Sequence, residues 1–216
     1  WQNQILVDVL EKGRNSVNAC YFDIYWDYAD DKFNGKILAP FLGKSYEQSL
    51  ADGELRLKYQ NGRIWACYCQ NKFPLRPDSY KQVLLNKLEQ NKPSIDKSII
   101  SELSGIFDNL TDSENISLYS EKSKIIDNAR EKLWDIYQKT PDLRDFFDEN
   151  IERLNRKNQT AALDKLLLQQ HFRLTFWAES KKNINYRRFF YLNDFIAVNA
   201  ENEKVFQSYH QLIFDL

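Results

Sequence analysis

A chain of 216 residues with 43% hydrophobic and 28% charged side chains carries enough apolar material for a sizeable core. Its 30 basic and 31 acidic residues leave a formal net charge of −1, which gives no electrostatic footprint for nucleic acid or an anionic membrane. No run approaches the roughly 20 apolar residues of a bilayer span, and 3 cysteines are too few for a disulfide scaffold, so buried free thiols in a cytoplasmic setting are expected.

Three zones follow in chain order. In the first, 1–76, Ile5, Leu6, Val9 and Leu10 recur at helical spacing and Gly13 supplies a stop. An aromatic run at 21–28 precedes a β-like Lys36-Ile37-Leu38-Ala39, expected to close at Pro40 and Gly43. Leu55, Leu57 and Tyr59 alternate with charged residues, Asn61-Gly62 reads as a turn, and 64–69 returns, which together predict a hairpin. On that returning strand Cys67 and Cys69 are expected to share one face.

The second zone, 77–170, reads as a helical subdomain. Pro77 opens a helix presenting Tyr80, Leu84 and Leu88; Ser94 caps one with Ile95, Ile99, Leu103 and Ile106 inward. A third carries Ile126, Ala129, Leu133, Trp134 and Tyr137. Thr140-Pro141 starts a fourth with Phe146, Phe147, Ile151 and Leu154, and Thr160 caps a fifth with Leu163, Leu166 and Leu167. These stripes are expected to form core rather than a ligand groove. The third zone, 171–216, returns to aromatic-rich β-like text and ends in a helix whose apolar positions Val205, Phe206, Tyr209, Leu212, Ile213 and Leu216 run to the last residue. With no stop signal behind it, the chain reads as cut from a longer one.

Catalytic patterns are scarce. The 6 glycines include no phosphate-cradling spacing, the cysteines and histidines fall in no nucleophile or metal motif, and nothing calls for a cofactor. His171 and His210 read as structural or solvated. Two clusters mix aromatic faces with polar groups: Tyr21-Phe22-Asp23-Ile24-Tyr25-Trp26-Asp27-Tyr28, and 183–194, Asn-Ile-Asn-Tyr-Arg-Arg-Phe-Phe-Tyr-Leu-Asn-Asp. A sugar offers an apolar ring face and a rim of hydroxyls, so flat aromatics beside short polar side chains and forked arginines suit it. Strand-core aromatics with structural arginine ion pairs explain the same text equally well.

Asn185-Tyr186-Arg187-Arg188-Phe189-Phe190 with Asn193-Asp194 resembles a motif of maltooligosyltrehalose synthases, members of the α-amylase superfamily. The resemblance continues in order through Asp8-Val9-Leu10-Glu11-x-Gly13, Phe22-Asp23-Ile24-x-Trp26-Asp27 and Lys36-Ile37-Leu38-x-Pro40-x-Leu42-Gly43. Tyr46, Gly53-Glu54-Leu55, Lys72-Phe73-Pro74-Leu75, Ser79-Tyr80, Gln170-His171-Phe172-Arg173-Leu174, Trp177, Val205-Phe206 and His210 complete it. Between 85 and 160 only length and character agree.

The resemblance implies a parent β/α barrel that converts the reducing-end α-1,4 bond of a maltooligosaccharide into an α,α-1,1 bond, using a carboxylate nucleophile and an acid/base carboxyl. This chain would be the excursion between the third and fourth barrel strands: an α+β piece with a small, mainly antiparallel sheet from 20–75 and 172–190 and a large helical insertion. It would lack the catalytic carboxylates and be inactive alone, with a maltooligosaccharide and the rest of the barrel as partners. By position Asp23, Trp26, Lys72, Phe73, Tyr186, Arg187, Arg188 and Phe189 would face or shape the sugar site, and the two clusters should meet on one face. Tyr25, Gln70-Asn71, Tyr191 and Asn199 depart from the family pattern, and three of these four changes lose a charge or titratable group. Such losses alter substrate preference or abolish activity. A non-catalytic carbohydrate-binding or scaffold domain, and a helical interaction module without a sugar role, are the alternative readings.

Overall fold

Helix α1, Gln4–Lys12, forms where the periodicity demands it: the Asn3 side chain accepts from the Ile5 amide at 2.8 Å, and Leu6, Val9 and Leu10 are buried. It stops at Gly13, whose φ of +66° suits glycine, and a Cβ there would lie 2.6 Å from the His171 ring. The computed structural model describes residues 1–28, 33–86, 95–113, 116, 118–179, 184–188 and 196–214, with no side-chain description beyond 211.

The expected single sheet is two. Strands β1 (Ile37–Leu42) and β5 (Phe172–Phe176) pair in parallel, with Ile37 opposite Phe172 and Ala39 opposite Leu174. Strand β1 runs through Pro40 instead of closing there. The register shifts between Ala39 and Leu42, so the missing proline N–H falls where the ladder is already irregular. Strands β2 (Arg56–Gln60), β3 (Arg63–Tyr68) and β4 (Asn71–Pro74) form an antiparallel sheet in sequence order.

The hairpin turn is as expected: Asn61 and Gly62 both have positive φ, 53° and 72°, the geometry of a two-residue mirror-image turn. Gly62 also lets the turn touch a helix, since a Cβ would come within 2.4 Å of the Arg130 carbonyl oxygen. Cys67 and Cys69 do not share a face. Cys69 leaves the strand in a turn with φ 52° and is exposed, as is Cys20, while Cys67 is buried.

Helix α2 (Tyr46–Ala51) follows β1, and α3 (Tyr80–Leu84) follows a single turn opened by Pro77. Then come α4 (Lys97–Asp112), α5 (Tyr119–Lys139), α6 (Pro141–Leu154) and α7 (Thr160–Leu168). Ser94 and Leu88 lie outside the described residues; Asp96 caps α4, accepting from the Ser98 amide at 2.8 Å. Thr160 is not a cap: it sits in the first turn of α7, and its hydroxyl donates to the Lys157 carbonyl at 2.7 Å. Ile126, Leu133, Phe147, Ile151 and Leu163 are core, as their spacing predicts. One hydrophobic cluster runs from Leu6 to Tyr186 and unites the three zones. The last helix, α8 (Glu203–Phe214), buries Val205 but leaves Phe206 and Tyr209 41% and 51% exposed, so its expected stripe is only partly core.

Polar groups lock these layers. Glu11 has no exposed surface; its carboxylate faces Arg63 Nε at 3.2 Å and Arg130 Nη1 at 2.7 Å, and the Tyr80 hydroxyl lies 3.4 Å away. Two asparagines serve as substitute strands. The Asn155 amide accepts from Leu57 N at 2.6 Å and donates to Leu57 O at 3.0 Å, covering the outer edge of β2. The Asn185 amide does the same for β1, accepting from Leu38 N at 3.1 Å and donating to Lys36 O at 2.6 Å.

Candidate functional site

The two aromatic–polar clusters meet. Residues 22–25, 184–188 and 196–199 lie side by side, bridged at Phe22–Val198, Ile24–Tyr186 and Arg188–Ile196. The Tyr25 amide donates to the Asn185 carbonyl at 2.7 Å and the Arg187 amide to the Asp23 carbonyl at 3.0 Å. Period-two alternation then sorts the side chains. Phe22 and Tyr186 turn inward, while Asp23, Tyr25 and Arg187 lie on the other face.

The approach to this ribbon is fixed from α1. Asp8 accepts from Ser16 Oγ and Asn18 Nδ2, at 2.5 and 3.0 Å, and pairs with Lys12 at 2.5 Å. Burial pushes the Asp8 carboxyl up, yet the hydrogen bonds from Lys12, Ser16 and Asn18 outweigh it and hold it below its ordinary value. From that turn the chain enters the aromatic run directly.

An ion pair between the clusters is made by the Arg187 fork, which also reaches Glu201. Its Nε lies 3.1 Å from Asp23 Oδ2, and its Nη1 3.0 Å from Glu201 Oε1. The hydrogen bond donated to Glu201 and the charges of Asp23 and Glu201 raise the arginine's proton affinity. The Asp23 side chain is 21% exposed, whereas those of Arg187 and Glu201 are 47% and 78% exposed, so the fork lies at the surface with only its Asp23 end sheltered. Beside it Tyr25 is 64% exposed, a free aromatic face, and Trp26 is half-buried against the core.

The remaining expected residues divide. Phe73 is fully buried and Tyr186 nearly so; both pack edge-on against Trp1, with ring centroids 6.1 and 5.7 Å away. These two rings are therefore part of the core rather than of an open face. Lys72 is placed apart: Nζ donates to Gln60 Oε1 at 2.9 Å, and among the described residues no hydrogen bond or ion pair joins it to Asp23 or Arg187. Arg188 is half-buried in the ribbon, and Phe189 lies outside the described residues, as does Tyr191.

Three contributors escape sequence reasoning. Glu201 carries no pattern that marks it, Trp1 stands at the first position, and Asn185 belongs to the quoted motif but acts through the backbone of β1 and of Tyr25. Among the described residues no group of three or more His, Cys, Asp or Glu is placed to hold a metal ion, and no helix is long and apolar enough to cross a membrane.

The fold is thus a mixed helix-and-sheet segment in which distant aromatic–polar stretches form one ribbon. Solved structures share it. The chain is similar to part of the DSM5389 glycosyltrehalose synthase, with 24% identity and a TM-score of 0.52 over 99% of this chain and 19% of that protein. It is likewise similar to part of a maltooligosyl trehalose synthase, with 21% identity and a TM-score of 0.51 over 99% of this chain and 17% of that one. The likeness is one of fold, and the chain spans less than a fifth of the length of either protein. By sequence it matches no protein-family profile and no curated protein.

Proposed function

We propose that this chain is the substrate-wall segment of a larger enzyme acting like a maltooligosyltrehalose synthase. In this reading the enzyme breaks the reducing-end α-1,4 bond of a maltooligosaccharide and re-forms it as an α,α-1,1 bond. The catalytic carboxylates belong to the rest of the barrel, and this segment alone has no activity. The observation that carries the reading is the Asp23–Arg187 ion pair, which joins two sugar-suited stretches beside the exposed Tyr25 ring. A forked cation next to an open aromatic face suits a glucosyl unit, with stacking on the ring and hydroxyl contacts to the guanidinium. Phe73, Tyr186 and Trp1 hold the wall in shape from the core side.

The departures at Tyr25, Asn71, Tyr191 and Asn199 favour a second reading, a binding protein of the same fold without turnover. One experiment separates the two. The full-length protein is incubated with maltopentaose and assayed for loss of reducing ends, with the 216-residue chain alongside. Conversion by the full-length protein alone supports the enzyme reading. Under it, Arg187→Gln should raise KM by about tenfold, the size of one charge-assisted contact. Saturable maltopentaose binding without product supports the second reading, and neither binding nor turnover rejects both.

A further inference from the structure

A hollow of about 460 Å³ lies along the outer face of β5, between that strand, the start of α2 and residues 33–36. Alternation along β5 buries Phe172 and Leu174 and sends Arg173 and Thr175 to this face. The Arg173 guanidinium lies over the Tyr46 ring, with Cζ 3.8 Å from the centroid. The Tyr46 hydroxyl is committed elsewhere, donating to Asp164 Oδ1 at 2.8 Å. Lys36 shares the hollow, and its Nζ donates to the Leu168 carbonyl at 2.5 Å.

Two cations therefore share one concavity, and among the described residues no carboxylate pairs with either; Glu47 is the single acidic lining residue. Among the described residues, Arg173 Nη1 is buried without a hydrogen-bond partner. A guanidinium cannot shed its proton, so an unmatched buried N–H is a standing cost to the fold. Burial and the nearby Arg173 charge also lower the proton affinity of Lys36. A negatively charged acceptor relieves all three conditions at once. The hydroxyls of Ser45 and Thr175 add donors, and the rings of Phe33 and Phe176 add apolar wall. The space exceeds that of a bare ion and matches small organic ligands, whose sites run from about 300 to 1,000 Å³.

We propose that this hollow binds a small organic oxyanion, its phosphate or carboxylate against Arg173 and Lys36 and its body against Phe33 and Phe176. The site shares no residue with the Asp23–Arg187 ribbon and does not rest on the sugar-wall reading.

The test is calorimetric titration of the chain with inorganic phosphate, acetate, glucose 6-phosphate and glucose. Saturable binding of the charged probes, with none for glucose, is the expected result. Glucose 6-phosphate should bind more tightly than inorganic phosphate because it also reaches the aromatic wall. Phosphate at least tenfold tighter than acetate assigns a phosphoryl ligand, and the reverse order a carboxylate. Lys36→Gln, which leaves the Arg173–Tyr46 stack intact, should weaken the preferred anion by about tenfold, as for loss of one charged hydrogen bond. Arg173→Gln should weaken it further, with circular dichroism confirming that the variant is folded. No binding of any anion, or unchanged affinity in Lys36→Gln, overturns the proposal.

Discussion

Asn185 offers the sharpest test of how the ribbon is held. It is 1% exposed, and its amide makes three backbone contacts: from Leu38 N at 3.1 Å, to Tyr25 O at 3.1 Å and to Lys36 O at 2.6 Å. Asn185→Ala orphans one donor and two acceptors beside a core strand. Each buried orphan costs about 1–3 kcal/mol, and partial relaxation brings the sum to roughly 3 kcal/mol. With a urea slope of about 2 kcal/mol/M, the midpoint should fall by about 1.5 M at unchanged slope. Asn185→Asp keeps the shape but turns the donor into an acceptor facing two carbonyl oxygens. At neutral pH its loss should equal or exceed that of alanine. The new carboxyl is held above the ordinary value of about 3.9, so the folded state takes up its proton first as pH falls. Stability of N185D should therefore recover relative to wild type on acidification, whereas N185A should show no such recovery. Tryptophan fluorescence in urea at several pH values reads both. Midpoints of either variant within about 0.3 M of wild type at neutral pH would refute the edge-cap argument.

Three further outcomes follow from other contacts. Glu11→Gln leaves Arg63 and Arg130 facing a neutral amide in a dry site, so about 3 kcal/mol should be lost in the same urea assay; a loss below about 1 kcal/mol would mean the carboxylate is dispensable. Burial, with Arg76, Lys122 and Lys36 nearby, lowers the His171 pKa from 6.5 to about 3. Above 6.5 the ring is neutral in both states. As pH falls from 6.5 toward 3 only the unfolded ring gains a proton, which costs up to about 1.4 kcal/mol per pH unit, and His171→Gln should flatten that part of the melting-temperature profile. Finally, Cys20 and Cys69 are exposed while Cys67 is buried with its thiol pushed up in pKa. A maleimide should label two thiols rapidly in the native protein and the third only on unfolding.

What the sequence made legible was local. Gly13, Asn61-Gly62 and Pro141 each act within one turn of their own position, and the structure obeys them. The meeting of the two clusters followed from the family resemblance, because alternation alone cannot bring residue 23 to residue 187. The parallel pairing of β1 with β5 was not legible, since Ile37-Leu38-Ala39 suits either strand direction and the partner is remote. Asn155 carries no signal in the sequence and Asn185 stands in the aromatic–polar cluster, yet each closes a strand edge, a role visible only once the neighbouring backbone is in place. Glu11 looks like the polar side of an amphipathic helix; its burial depends on two arginines contributed 52 and 119 positions later. Cys69 failed the alternation rule because a single left-handed residue ends the strand one step early.

The β1–β5 pairing fastens the chain at both ends of a long excursion: about 130 residues leave after Leu42 and return at Phe172, with the ribbon formed by residues outside that span. The closure entropy of such a loop grows only with the logarithm of its length, about 0.6 kcal/mol for each doubling. The length of the excursion therefore costs the closing pair little, and what ties its helices to the rest is direct contact, such as Arg130 on Glu11. In the ribbon, the Phe22–Val198 and Ile24–Tyr186 bridges join residues from before the excursion to residues from after it. The two ends of the chain thus meet in one ribbon at an entropic cost that depends little on how much chain lies between them.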